Sequence, residues 1–113
     1  MIHELRIYTV APGRMADLLS RFQHHTLKIW ERHGIRQLGF WTTLIGSSNQ
    51  HLTYLLAWES MAERELKWRA FATDQEWIAT LAHSELNGVL VTNVQNSLLQ
   101  PTVFSQCGGS GAA

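Results

Sequence analysis

The sequence is short of the residues that mark whole classes of protein. Of 113 residues only Cys107 is a cysteine, so no internal disulfide can form and the chain does not read as a disulfide-framed secreted domain. A reducing, cytoplasmic compartment is the expectation. Proline occurs only at positions 12 and 101, which leaves the chain between them free for regular structure. Nine basic residues balance nine acidic ones, so there is no electrostatic footprint to draw nucleic acid or an anionic membrane, and neither is expected as a partner. No apolar run reaches the roughly 18 residues of a membrane span. A strand-like pattern begins at once, so the chain is expected to start at its mature N-terminus, with no signal or transit peptide.

Chemical signatures are missing too. There is no glycine-rich phosphate loop, no serine nucleophile elbow and no cysteine with a fixed histidine partner. The six histidines include no i, i+4 pair with a carboxylate of the kind that marks a zinc helix. No metal and no cofactor is expected. Charge is also absent locally. Six charged residues fall between Arg14 and Arg32 and nine between Glu59 and Glu85, which leaves only Glu4, Arg6 and Arg36 elsewhere. The stretches from Gln37 to Trp58 and from Leu86 onward therefore have little face for water.

What is present is a 45% hydrophobic content, enough for one domain with one core. With a period of two, His3 to Thr9 places Leu5 and Ile7 on one face of a strand and Glu4, Arg6 and Tyr8 on the other. After the turn signal Ala11-Pro12-Gly13, the residues Met15, Leu18, Leu19, Phe22, Ile29 and Trp30 form the stripe of an amphipathic helix. His25 and Thr26 fill the gap in that stripe, and Gly34 ends the helix. Ile35 to Gly46 and Leu52 to Trp58 read as the arms of a hairpin, with Tyr54, Leu56 and Trp58 sharing one face. Ser60-Met61-Ala62-Glu63 has capping-box spacing. Thr73-Asp74-Gln75-Glu76 repeats it, which predicts a second, shorter helix after a break near Ala72. A last strand runs from Val89 to Leu99. The domain is expected to span 1–105, with 106–113 a flexible tail.

The order β-α-β-β-α-β predicts an α+β, ferredoxin-like fold with a four-stranded antiparallel sheet and the first and third strands central. Helices then cover one sheet face. The other carries almost no charge, and a second copy is the economical cover, giving a homodimeric α+β barrel. On that reading Glu4, Arg6 and Tyr8 point into the barrel interior, where charges need partners.

Two functional readings of this strand stand side by side. In one, Arg6 holds an anionic or carbonyl oxygen, Glu4 acts as a base with a raised pKa, and Tyr8 donates a hydrogen bond. In the other, Glu4 and Arg6 belong to a structural network, paired with each other or across the dimer. Tyr54 and Trp58, with Trp41 and Thr43 on the neighbouring strand, supply an aromatic pocket wall or an ordinary aromatic core. The face taken by Trp41 stays open, since a one-residue slip turns it over. His25 leans over the pocket from the helix side or is a hydrogen-bonded structural histidine.

Several motifs in order resemble the NIPSNAP family: Glu4-Leu5-Arg6-Ile7-Tyr8, Pro12-Gly13, Arg32-His33-Gly34 leading into Gly39-Phe40-Trp41-Thr42-Thr43-Leu44-Ile45-Gly46, Trp58-Glu59-Ser60, Asp74-Gln75-Glu76-Trp77 and the ending from Asn96 to Ser105. The resemblance implies the dimeric ferredoxin-like barrel and a family of unsettled activity. Related barrels include cofactor-free monooxygenases and haem-degrading enzymes, an analogy of fold only. The expected function is a homodimer that binds a small, largely apolar molecule between sheet and helices, with cofactor-independent chemistry. The alternative is a non-catalytic protein-interaction module. A cavity bordered by Glu4, Arg6 and Tyr8 favours the first, and full pairing of those residues the second.

Overall fold

Strand β1 (Ile2–Val10) lies inside the sheet, with antiparallel neighbours on both sides. The structure is a computed structural model that describes residues 1–107. The tail expected at 106–113 falls outside it from residue 108 onward. With β2 (Arg36–Thr42), β3 (His51–Trp58) and β4 (Val91–Leu99), the sheet has four strands in the order β2-β3-β1-β4. The expected ferredoxin-like topology and its β1/β3 central pair are therefore observed. Arg6 stands opposite Tyr54 on one side and Asn96 on the other, and Glu4 opposite Leu56 and Leu98. Directly opposed residues share a face. Glu4, Arg6, Tyr8, Tyr54, Leu56, Trp58 and Asn96 thus form one face, and Leu5, Ile7, Thr53, Leu55 and Ala57 the other.

β2 stops short of the expected Gly46 because its partner strand runs out: Thr42 pairs with Leu52, close to the start of β3. Leu44 and Ile45 then lie in the connecting loop, each 95% exposed. The register of β2 also shifts between Gln37 and Gly39. Beyond that bulge Trp41 pairs with Thr53 and so joins the face of Leu5 and Ile7.

The first helical segment is not one continuous α-helix. α1 (Met15–Arg21) and α2 (Leu27–His33) are joined by a π-helical turn at Phe22–Thr26. Such a turn absorbs one extra residue into the ladder. Here the amide of Leu27 donates to the carbonyl of Phe22, and the Thr26 hydroxyl donates to the carbonyl of Arg21 at 3.3 Å. The turn buries Phe22 and Thr26 and leaves His24 and His25 in water. Gly34 ends α2 at φ 71°, a left-handed conformation that favours glycine.

α3 (Met61–Ala72) begins where the capping box predicted, with Ser60 Oγ accepting from the Glu63 amide at 3.1 Å. The returning Glu63 carboxylate takes the amide of Glu59 at 2.9 Å rather than that of Ser60. α4 (Gln75–Ser84) is capped one residue later than expected. Asp74 accepts from the amides of Glu76 and Trp77 at 2.8 and 3.1 Å, while Thr73 donates its hydroxyl back to the Arg69 carbonyl and closes α3.

All of these helices lie on the Glu4 face. Leu18, Phe22, Ile29 and Trp30 meet Tyr54, Leu56 and Trp58 in the core, with Phe71 from α3. The opposite face has no helix over it among the described residues. Trp41 is 51% exposed there, packed so closely on Gly39 that a Cβ at that glycine would lie 2.9 Å from its ring. Among the described residues no helix is long and apolar enough to cross a membrane.

Candidate functional site

The polar face of β1 is buried under α3. Glu4 is fully buried and Arg6 is 8% exposed. The expectation that Glu4, Arg6 and Tyr8 face a space between two sheets is corrected by the register, which turns them toward this chain's own helices. The Glu4 carboxylate is saturated there. Its Oε1 accepts from Trp58 Nε1 at 3.0 Å and Arg64 Nε at 2.8 Å. Its Oε2 accepts from Arg6 Nη1 at 3.1 Å, Arg64 Nη2 at 3.1 Å and Asn96 Nδ2 at 3.0 Å. Donors thus converge from β1, β3, α3 and β4 on one acid.

Burial alone would raise the pKa of Glu4. The hydrogen bonds from Arg64, Asn96 and Trp58, with the charge of Arg6, outweigh it and lower the value from 4.5 to about 2. This is the reverse of the raised pKa expected of a base. Arg6 continues the network: its Nε donates to the Tyr54 hydroxyl at 2.7 Å, which donates to the Tyr8 hydroxyl at 2.8 Å. Burial, and then the neighbouring Tyr8, push the Tyr54 phenol above its ordinary value, so it stays protonated. The Arg6 guanidinium carbon also lies 4.7 Å from the centre of the Trp68 ring, a cation–π contact on its remaining side.

The five residues read as a pocket wall do not come together. Tyr54 and Trp58 are buried on the helix side, where Tyr54 stacks on Phe40 at 4.7 Å between ring centres. Trp41 is on the opposite sheet face, and Thr43 lies beyond the end of β2. His25 is exposed rather than on the buried stripe. It borders a groove of about 540 Å³ on the outside of the helical layer, between α1 and α4, shared with Arg21 and His83.

Arg64 and Asn96 join the Glu4 network, and Arg21 lines the outer groove, without standing out as site residues in the sequence. Arg64 precedes Trp68 by one helical turn on the inner side of α3, a spacing visible in the sequence. Asn96 is tied to Glu4 only through strand register. Arg21 stands three residues after Leu18 and just before Phe22, so it falls on the buried stripe, and it is 6% exposed.

The family model of NIPSNAP matches residues 3–106. The chain belongs to the NIPSNAP family. Solved structures agree with that membership. A NIPSNAP family protein of Agrobacterium tumefaciens superposes with a TM-score of 0.83 at 28% identity, over 93% of this chain and 96% of that one. A NIPSNAP domain protein of Burkholderia xenovorans gives 0.80 at 23% identity, over 93% and 98%. A protein assigned as an antibiotic biosynthesis monooxygenase from Bordetella bronchiseptica gives 0.65 at 20% identity, over 89% and 96%, a likeness of fold alone. No curated protein matches this NIPSNAP chain.

Proposed function

We propose that this NIPSNAP chain is a homodimeric, non-catalytic module in which the Glu4 network braces the fold and two sheets meet through their helix-free faces. One observation carries the reading: the Glu4 carboxylate already accepts from Arg6, Trp58, Arg64 and Asn96. A general base needs a free lone pair within reach of substrate and a pKa near the working pH. Glu4, held at about 2, has neither. The rings of Phe22, Trp30, Phe40 and Tyr54 pack against one another between sheet and helices, in the layer where a small apolar ligand would sit.

The homodimer rests on the other face. Leu5, Ile7, Leu55, Ala57 and Trp41 share it, and β3 and β4 bring no formal charge to it. A two-fold axis sets a patch against its own copy, so any net charge would confront its like. A face with almost none meets itself without that repulsion, at the roughly 10 Å separation of packed sheets. The nearly fully exposed Val103 and Phe104 add apolar surface just beyond β4. A reducing, cytoplasmic setting completes the proposal, since Cys107 is exposed and free.

Sedimentation analysis tests it. The wild type is expected at twice the chain mass. Ile7→Glu, which puts a charge on the helix-free face, is expected at the chain mass with native circular dichroism. Glu4→Gln is expected to remain a dimer of lower stability. A monomeric wild type would sink the reading.

A further inference from the structure

We propose that the groove between α1, the π-helical turn and α4 binds a small oxyanion, a carboxylate or a phosphate group, on Arg21. The chain has seven arginines. Six of them, at positions 6, 14, 32, 36, 64 and 69, lie within 4.0 Å of a carboxylate oxygen. Arg21 is the exception among the described residues, although it is 6% exposed and so needs a counter-charge more than most of them. Its Nη1 donates to Ser84 Oγ at 3.2 Å, and its Nε has no acceptor among the described residues. The guanidinium carbon lies 5.2 Å from the centre of the Trp77 ring, which softens the charge without neutralising it.

The surroundings suit an anion. The groove encloses about 540 Å³, within the range of small-molecule sites, and Arg21 lines it with Ser84, Thr80, His25 and His83. Two carboxylates also stand on its wall, and both are already engaged: Asp17 by Arg14 at 2.7 Å and Glu76 by Arg32 at 2.8 Å. An arriving oxyanion therefore meets a cation that no carboxylate touches directly, flanked by hydroxyl and imidazole groups. Burial depresses the pKa of Arg21 below its ordinary value, and the charge of Glu85, which makes no ion pair with it, offsets this only in part.

The test is thermal melting and calorimetric titration with benzoate and with inorganic phosphate, against chloride at matched ionic strength, on three proteins. Wild type is expected to show a saturable rise in melting temperature with at least one of the two probes. Response to benzoate alone identifies a carboxylate ligand, and response to phosphate alone a phosphate one. Arg21→Met is expected to bind at least about tenfold more weakly, the loss typical of one charge-assisted hydrogen bond. Ala79→Trp obstructs the groove while leaving Arg21 in place, and is expected to lose binding even if Arg21→Met fails to fold. No saturable rise in wild type, or an equal rise in Ala79→Trp, would overturn the proposal.

Discussion

Arg64 grips Glu4 with two parallel hydrogen bonds, Nε to Oε1 at 2.8 Å and Nη2 to Oε2 at 3.1 Å, and so ties the first helix after the hairpin to the strand that opens the chain. The carboxylate is fully buried while the arginine side chain is 22% exposed. The cation thus reaches in from the edge of the helical layer to an acid already fixed in the sheet. An acid left without that cation keeps its desolvation cost and loses much of its compensation.

Arg64→Ala is therefore expected to destabilise the fold by about 3 kcal/mol, the cost of breaking a buried pair from one side. Arg64→Lys is expected to recover less than half of this, because a lysine cannot reproduce the planar two-pronged grip. Urea unfolding midpoints at pH 7 measure both, and equal midpoints for all three proteins would remove Glu4–Arg64 from the stability account.

Glu4 also sets an acid limit. Its pKa is about 2 in the fold against an ordinary 4.5, so between those values the unfolded chain binds more protons than the folded one. Its contribution is complete above pH 4.5 and is lost as pH falls toward 2, amounting to on the order of 3 kcal/mol. Asp74, lowered by His33 and then Arg32, acts in the same direction. Glu4→Gln is expected to be less stable than wild type at pH 7 and to lose less on acidification. Denaturation series across that pH window supply the comparison.

The two caps of the helical hairpin are expected to differ in weight. Ser60→Ala removes a single hydrogen bond at the start of α3 and should cost about 1 kcal/mol. Asp74→Ala removes two cap bonds together with the contacts to Arg32 Nη2 at 2.9 Å and His33 Nε2 at 2.8 Å, so its loss should be the larger. Paired thermal melts rank them, and the reverse order would show that the tie between α2 and α4 carries little.

For a homodimer, unfolding is coupled to dissociation, and the melting temperature should climb with protein concentration. The same dilution series on Ile7→Glu is expected to be flat. A flat wild-type series would leave the helix-free face without its proposed partner.

The architecture was legible because its signals are local. Alternation in β1, the turn signal Ala11-Pro12-Gly13 and the capping box at Ser60 each depend on a few neighbours, and the order of such elements gives the topology. The site was legible in part. Glu4, Arg6 and Tyr8 could be assigned to one face, but whether that face met helices or a second sheet depends on packing between layers. Trp41 could not be oriented because the bulge near Leu38 shifts the register by one residue with no clear mark in the sequence. The stripe through Leu18, Phe22, Thr26 and Trp30 fits a continuous α-helix, so the π-helical turn left no trace. It is Arg21, on that stripe, that a stricter count of spacing would have found.

The partners of Glu4 also impose an order in time. Trp58, Arg64 and Asn96 follow it by 54, 60 and 92 residues. Until those residues are made, the acid in β1 has only Arg6 beside it. β1 cannot be closed in on both sides until Asn96 has left the ribosome, and contacts so far apart in the chain carry their loop-closure cost before they return any stability. The strand at the centre of the sheet is thus among the last to be locked, and a chain cut short before β4 would leave Glu4 without Asn96 and β1 open along one whole edge.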